Sequence, residues 1–340
     1  MVIAGREIMR RVCAAAFVLS IITSSAAAAD DKPYVMKITL ATVNDQLHEF
    51  ARNYAAAVEK DSGGRIKAQI YPASQLGSTQ RQAEGVQFGE IECLVAPPEF
   101  LVGIDERFEV LAAPGLVKSI AEGQRLATDP EVSKLMFGLG ADKGLHGVAL
   151  FTVAPSSVVA TKPIRRLADF KGKKIRVFAS EFQTVAIQRL GATPKPMTLG
   201  EVLPALQDNA VDGAVSSITA ITTMHYWEAA KYVTETGQPM VFGIAEISKK
   251  WYGSLPASLQ QIVDKDAAAV SGAIAPSAAD FNAKARQTWI DNGGELISLP
   301  ADDQAAMLNE LASVGEDVSK GKPQLNAAYQ IVATAAQRAR

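Results

Sequence analysis

The densest cluster of charge in this 340-residue sequence is a basic run over residues 162–176. Its seven cationic residues face a single acid, Asp169, and most of them are typical of a solvated edge before a strand. Arg176 differs because it lies inside the apolar segment Lys174–Phe178. Alternation along a strand places Arg176 and Phe178 on one face and the two branched aliphatic residues on the other.

A guanidinium in this position has the chemistry of an anion receptor. Its planar fork matches a carboxylate with two parallel hydrogen bonds. In a two-lobed α/β protein, the open ends of the strands line the crevice between the lobes, where ligands bind. The residues alone leave two interpretations of Arg176 open: a receptor for an anionic ligand, or the partner in an internal ion pair.

The sequence lacks the common residue patterns of enzyme active sites. The three histidines are far apart, and none has a second His or Cys at metal-ligand spacing. The sequence has no G-x-S-x-G nucleophile turn and no phosphate loop. Gly138, Gly140 and Gly144 miss the dinucleotide fingerprint by one residue. The sequence therefore predicts a protein that is not an enzyme and that uses no cofactor and no metal.

Composition excludes several other classes of protein. The chain has 34 basic and 36 acidic residues, a net charge of −2, so no global basic field attracts nucleic acid. With 48% hydrophobic and 21% charged residues, it does not have the composition of a disordered chain. Its length predicts about two domains.

Residues 1–29 have the pattern of a secretory signal peptide. Three arginines precede an apolar run, Val12–Ile22, which is shorter than the roughly 20 residues of a membrane-spanning helix. Small residues up to Ala29 suit cleavage near that position; an uncleaved membrane anchor is the alternative. Removal changes the net charge from −2 to −4 and leaves Cys93 as the one cysteine, which excludes an internal disulfide. In an apolar strand, this cysteine is typical of a buried inert thiol.

Alternating strands and helices must position Arg176. Apolar periodicity predicts strands over residues 36–41, 66–71, 91–96, 174–178 and 211–215. It predicts helices over residues 47–61, 79–88, 182–190, 199–207 and 257–290, and near 301–318 and 324–338. Ser78 is a good N-cap, and Pro276 interrupts the longest helical stretch. The βαβαβ order indicates a parallel sheet covered on both faces, in two α/β lobes followed by late helices.

Five segments carry a family resemblance. In order, they are EKDSGGRI at 59–66, YPASQLG at 71–77, DFKGKKIR at 169–176, VDG at 211–213 and WEAAKYVT at 227–234. With these segments the chain resembles the substrate-binding proteins of TRAP (tripartite ATP-independent periplasmic) transporters, of the solute-binding family 7 type. The resemblance extends over residues 34–335.

This resemblance implies an α/β, two-lobed periplasmic-binding-protein fold with a long helix that spans both lobes. Lobe I would comprise residues 30–154 and about 243–281, and lobe II residues 155–242 and about 282–340. The stretch 257–290 fits the spanning helix, with a kink at Pro276. The ligand would lie between lobes that close by hinge motion and present it to the membrane subunits of a TRAP permease. Since most relatives act as monomers, we expect a monomer.

The resemblance also assigns site residues. In the family, the Arg of the Lys-Ile-Arg strand binds the substrate carboxylate, and Arg176 has that position. Five other positions depart from relatives that bind sugar acids. Ser216 stands in place of Asn, Ser156 in place of a second Arg, Pro97 in place of a carboxylate, Leu199 in place of an aromatic residue, and Phe178 in place of Pro. Each change removes charge or hydrogen-bonding capacity, which would leave sugar hydroxyls unpaired at about 1–3 kcal/mol each.

These residues predict a ligand with one essential carboxylate. An aromatic or branched monocarboxylate, or a keto or hydroxy acid, fits better than a sugar acid. A C4-dicarboxylate ranks second because it needs a second cation, and Lys162 and Arg165 are expected to be exposed. Two further alternatives stay open at this point: a ligand-bound partner of a membrane sensor rather than of a permease, and a secreted α/β enzyme. The expected location is the periplasm.

Overall fold

Strands and helices alternate along residues 32–340, the part of the chain that the computed structural model describes. The strands are β1 Tyr34–Thr39, β2 Ile66–Tyr71, β3 Cys93–Ala96, β4 Leu145–Ala160, β5 Lys174–Val177, β6 Thr193–Pro196, β7 Gly213–Ser217, β8 Tyr232–Glu235, β9 Met240–Ser248 and β10 Glu295–Ser298. The helices are α1 Gln46–Asp61, α2 Thr79–Phe88, α3 Ile120–Ala127, α4 Pro130–Gly138, α5 Glu181–Arg189, α6 Leu199–Gln207, α7 Ile218–Thr223, α8 Lys249–Ser254, α9 Ala257–Ile274, α10 Ser277–Asp291, α11 Ala301–Leu311, α12 Val314–Ser319 and α13 Pro323–Arg338.

The predicted signal peptide, residues 1–29, lies outside the described residues. Within residues 32–340, no helix is both long enough and apolar enough to cross a membrane.

Local sequence signals account for several of these elements. The Ser78 hydroxyl accepts a hydrogen bond from the N–H of Arg81 at 3.4 Å, which confirms the predicted N-cap of α2. The same helix ends at Gly89, which adopts a left-handed φ of 80° that favours glycine. The predicted bounds of β2, α2 and α6 match the structure, whereas those of β1, β3 and β7 differ by about two residues at one or both ends.

The strands form a mixed sheet with the order β2-β1-β3-β9-β4-β7-β5-β6; β8 pairs with β4, and β10 pairs with β8. Strands β1 to β3 are parallel to one another, and so are β5 to β7, as predicted. The sheet as a whole is mixed, because β9, which was not predicted, runs antiparallel to both β3 and β4, and β4 runs antiparallel to β7. The chain passes from one parallel set to the other through β4 and returns through β9, so these two strands must run in opposite directions.

The helical stretch predicted over 257–290 is two helices in the structure. Helix α9 ends at Ile274 and α10 begins at Ser277, so the predicted interruption at Pro276 is confirmed. Proline has no N–H to donate to the preceding turn, which accounts for the break. Helix α9 packs on α1 and β4, whereas α10 packs on α7 and β10. The pair therefore bridges the two parallel strand sets.

The helix predicted near 301–318 is also two helices, α11 and α12, so its prediction as one helix is wrong. Ser313 lies at the break and its hydroxyl donates a hydrogen bond to Asp317 at 2.7 Å. Serine competes with the helical backbone through local bonds of this kind. Helix α12 packs on α5, and α13 packs on α3, α4 and the 3₁₀ segment Glu106–Ala112. The bounds of the two lobes given above stay a prediction.

Candidate ligand-binding cleft

A small cavity lies where the parallel strands of both sets end. Its walls come from the residues that follow β1, the carboxyl ends of β3 and β7, the residue after β5, and the helices α1, α2, α6 and α7. The carboxyl ends of strands are where open α/β sheets bind ligands. The lining residues are Ala41, Thr42, Asp45, Leu47, Thr79, Val95, Ala96, Pro97, Phe100, Val153, Phe178, Leu199, Ser216, Ser217, Ala220 and Val241.

This cavity is nearly closed. The space open to the centres of water molecules is about 20 Å³, which is room for about one or two waters. An organic acid therefore enters only if the walls move apart.

Arg176 lies directly behind one wall of the cavity. Its backbone on β5 pairs with Ala214 of β7, and its side chain is fully buried. Nε donates to the carbonyl oxygen of Met197 at 3.0 Å, and Nη1 donates to that of Val215 at 3.1 Å. The guanidinium carbon is 4.6 Å from the ring centroid of Phe178. Both Phe178 and Ser216, the residue after Val215, line the cavity.

The third guanidinium nitrogen of Arg176, Nη2, has no hydrogen-bond acceptor in the described part of the chain. Nη2 is buried and has no hydrogen-bond partner among residues 32–340, and within the same residues no carboxylate forms an ion pair with this side chain. Burial lowers the pKa of Arg176 to about 10, so it remains charged at neutral pH. A buried charge without a partner is unfavourable by several kcal/mol. Within residues 32–340, Glu201 of α6 exerts only a longer-range attraction on Arg176, so a direct internal ion pair does not account for this arginine.

Ser216 lies on β7, the strand next to that of Arg176, and Ser156 lies on β4, one strand further away. The Ser216 hydroxyl lines the cavity, is buried, and has no hydrogen-bond partner in the described part of the chain. The Ser156 hydroxyl is likewise buried and unpartnered within residues 32–340. Its residue pairs with Ser217 across β4 and β7 and is absent from the cavity lining. The structure thus places Ser216 at the cavity and Ser156 one strand away.

Pro97, Phe178 and Leu199 form part of an apolar wall. Phe178 packs edge-on against Phe100, with ring centroids 5.1 Å apart. Phe100, Phe178, Leu199 and Ala220 together form a small buried cluster at the cavity. Phe100 was missed in the sequence, although its place in the 3₁₀ segment directly after β3 is a signal, since strand ends line clefts.

The opposite wall contains polar residues that the sequence reasoning missed, Thr42 and Asp45. Asp45 is the N-cap of α1, and its Oδ1 accepts a hydrogen bond from the N–H of His48 at 3.1 Å. It is 1% exposed, and burial raises the pKa of its carboxyl to about 6. The buried Thr42 hydroxyl lies beside this carboxyl and lowers its pKa, but it makes no hydrogen bond of good geometry within residues 32–340. The strand-to-helix loop after β1 was the available signal.

Residues 32–340 contain neither a metal-binding group of side chains nor a reactive thiol. No group of three or more His, Cys, Asp or Glu side chains in this range is arranged to hold a metal ion. Cys93 is a free thiol buried in β3, and burial raises its pKa above the usual range, so it is not activated as a nucleophile.

Known proteins are similar to this chain over most of its length. The family described as bacterial extracellular solute-binding protein, family 7, matches residues 39–321. The C4-dicarboxylate-binding periplasmic protein DctP of Rhodobacter capsulatus is 27% identical over 273 residues, which are 79% of this chain and 81% of that protein.

Solved structures share the fold at lower identity. The TRAP periplasmic solute-binding protein from Desulfovibrio salexigens with bound orotic acid has a TM-score of 0.84 at 24% identity and covers 90% of this chain and 100% of its own. The sugar acid binding protein of Advenella mimigardefordensis in complex with galactonate has a TM-score of 0.85 at 20% identity, over 92% and 100% of the two chains. These likenesses confirm the two-lobed α/β fold.

Proposed function

We propose that this chain, which belongs to the bacterial extracellular solute-binding proteins of family 7, captures a small organic acid between two lobes and delivers it to a TRAP membrane permease. The family consists of solute-binding proteins and not of enzymes, in agreement with the sequence prediction. Its location would be the periplasm, after cleavage of the signal peptide near Ala29, and it would act as a monomer.

The observation that carries this proposal is the state of Arg176. A fully buried guanidinium is held in place by two neutral carbonyl oxygens, and its Nη2 has no partner in the described chain. A ligand carboxylate beside Ser216 would accept the hydrogen bond from Nη2 and supply the missing negative charge. The ligand would thus offset the unfavourable burial of the charge.

Closure of the lobes follows from the same geometry. Because the cavity is nearly closed, the acid must bind to a more open arrangement and be enclosed afterwards. Binding favours the closed state only if the ligand makes more contacts there. Walls from both strand sets provide those contacts, and closure strengthens the Arg176–carboxylate interaction by excluding water. Periplasmic binding proteins as a class close around their ligands by hinge motion of this kind.

The walls support a ligand with one carboxylate, that is, an aromatic or branched monocarboxylate or a keto or hydroxy acid. Most lining residues are apolar, and Phe100, Phe178 and Leu199 offer surface to an apolar body. The name of the Rhodobacter capsulatus relative favours a C4-dicarboxylate as the second candidate. Against it, Lys162 and Arg165 are exposed and do not line the cavity, and Arg165 pairs with Glu295 at 2.6 Å.

Isothermal titration calorimetry with a panel of acids tests the proposal. The panel contains phenylpyruvate, 4-hydroxybenzoate, 2-oxoisovalerate, succinate and galactonate. We expect the wild type to bind at least one of phenylpyruvate, 4-hydroxybenzoate and 2-oxoisovalerate, and Arg176→Gln to weaken that binding by at least about 30-fold, since truncating a buried charged partner costs roughly 2–5 kcal/mol. Glutamine can still bond the two carbonyls, so the variant should fold.

Arg166→Gln is the matched control, because Arg166 is exposed and pairs with Asp303 away from the cavity. Near-wild-type affinity of Arg176→Gln would contradict the assigned role of this arginine. Binding of galactonate alone would contradict the ligand class. Conversion of any acid during the titration would instead indicate an enzyme.

A further inference from the structure

Thr42 and Asp45, in the loop after β1, line the cavity and would contact the end of the ligand that is distant from its carboxylate. We infer that the acid has a hydroxyl or N–H donor away from its carboxylate, and that Thr42 and Asp45 select this donor over a second carboxylate. The inference rests on the proposed function, since it assumes that Arg176 binds the first carboxylate.

Asp45 has hydrogen-bonding capacity beyond its role as a helix cap. An ionised carboxylate accepts at about four lone-pair positions. The N–H of His48 donates to Oδ1 at 3.1 Å, and the Thr42 hydroxyl and the N–H of Leu47 make weaker contacts that also lower the pKa of this carboxyl. The residue lines the cavity and is 1% exposed, so its remaining acceptor positions are not available to bulk solvent. A ligand donor that reaches this wall would find an acceptor there.

Thr42, which lies beside Asp45 and lowers the pKa of its carboxyl, provides the second observation. Its side chain is 4% exposed, lines the same cavity, and its hydroxyl oxygen has no hydrogen-bond partner within residues 32–340. Buried hydroxyls are rarely left unpaired, because the loss of hydration costs about 1–3 kcal/mol. A polar ligand group at this end would pair with the Thr42 hydroxyl and with Asp45 together.

Charge distinguishes a donor from a second carboxylate at this position. None of the residues that line the cavity is cationic, and Arg176 lies behind the wall formed by Phe178 and Ser216. A second carboxylate near Asp45 would therefore face a negative charge without a compensating positive one. Like charges held close in a low-dielectric site are unfavourable. The polarity of this wall thus argues against a dicarboxylate and for a neutral or cationic donor.

Matched acids test the inference directly by calorimetry at pH 7.5. The first set is 4-hydroxybenzoate, benzoate and terephthalate, and the second is 4-hydroxybutyrate, butyrate and succinate. In the better-binding set, we expect the hydroxy acid to bind up to about tenfold more tightly than the parent acid, which corresponds to one net hydrogen bond. We expect the diacid to bind most weakly.

Two variants test whether Asp45 and Thr42 cause the expected preference among the acids. Asp45→Asn removes the charge but keeps an excellent N-cap, so α1 should remain folded. It should reduce the penalty of the diacid relative to the parent acid. Thr42→Val removes the hydroxyl at similar shape and should reduce the preference for the hydroxy acid. Asp129→Asn is the control, because Asp129 caps α4 in the same way and does not line the cavity.

The outcomes separate this inference from the proposed function. If the acids bind, binding is lost in Arg176→Gln, and the ranking is unchanged in Asp45→Asn, the inference is overturned while the proposed function stands. Wild-type preference for terephthalate or succinate over the hydroxy acid also overturns it. If the wild type binds no monocarboxylate of either set, the inference is overturned, and if it also binds neither phenylpyruvate nor 2-oxoisovalerate, the proposed ligand class is wrong as well.

Discussion

At the scale of single residues, the polar atoms around the cavity form a coherent set. Arg176 Nη2, the Ser216 hydroxyl and the Thr42 hydroxyl are all buried and lack partners within residues 32–340. Native proteins leave few buried polar atoms unpaired, which makes these three atoms candidates for contact with a ligand, although other unpaired buried atoms, such as Glu246 Oε1 and Asp266 Oδ2, lie elsewhere in the described chain.

Glu99 gives a pH-dependent prediction at the residue scale. It is 1% exposed in the 3₁₀ segment Pro98–Leu101, and its Oε2 has no partner in the described chain. Burial, with a smaller contribution from Glu109, raises the pKa of Glu99 to about 7. The folded state therefore holds a proton that the unfolded chain releases near pH 4.3. Ionisation of Glu99 therefore makes the folded protein progressively less stable as the pH rises from about 4.3 to about 7.

Replacement of Glu99 by Gln should remove this pH dependence. Relative to wild type, Glu99→Gln should gain up to about 3 kcal/mol in free energy of unfolding at pH 8, and the gain should vanish near pH 4. Urea unfolding at pH 4, 6 and 8 measures the difference, with exposed Glu106→Gln as the control. A difference that stays constant over this pH range would contradict the account.

Residue types and spacing identified Arg176 before the fold was known. Strand alternation separated it from the other cations of the run 162–176, most of which the structure leaves partly or fully exposed. Its two carbonyl acceptors come from residues 21 and 39 positions away, so no local pattern reveals them. Thr42 and Asp45 were missed for a related reason. An Asp before a helix is normally a cap, and its contact with a cavity depends on strands far away in sequence.

At the scale of elements, the strands that carry the cleft residues differ in how well the sequence predicted them. Strands β2 and β5 were found because they are short and flanked by turns or charged residues. Strands β4 and β9 were not assigned, although they join the two parallel sets. All nine residues of β9 are buried, as are most of those in β4. Strands covered on both faces lack the alternation that identifies a strand.

Gly213 gives a prediction about the junction of β4 and β7. A Cβ at this position would lie 2.6 Å from the carbonyl oxygen of Val159, a backbone atom of β4 that cannot move without disturbing the sheet. Gly213→Ala should therefore lower the free energy of unfolding by about 1–3 kcal/mol. Because β7 carries Ser216, the variant should also weaken acid binding.

The control for this prediction is Gly200→Ala in α6, where an added Cβ has no neighbour within 4 Å. Alanine is a better helix former than glycine, so this variant should be neutral or slightly stabilising. Urea unfolding compares the two variants. Equal stabilities of Gly213→Ala and the wild type would show that the strand junction tolerates the added atom.

At the scale of the whole molecule, the proposed anionic ligand contrasts with the net charge of the protein, which is −2 for the full chain and would be −4 without residues 1–29. Its overall field does not attract the ligand, so affinity must come from local groups. The carboxyl ends of two parallel strand sets meet at one cavity, and buried Arg176 supplies the positive charge there. The nearly closed cavity has too little space for an organic acid in this conformation, so the proposed binding requires the walls to move apart.

A crystal structure of the protein with its tightest-binding acid tests this account most directly. The account predicts a ligand carboxylate oxygen about 2.7–2.9 Å from Arg176 Nη2, in a cavity enlarged around the ligand and enclosed by both strand sets. A ligand whose carboxylate is held elsewhere, with Arg176 Nη2 still without a partner, would contradict it.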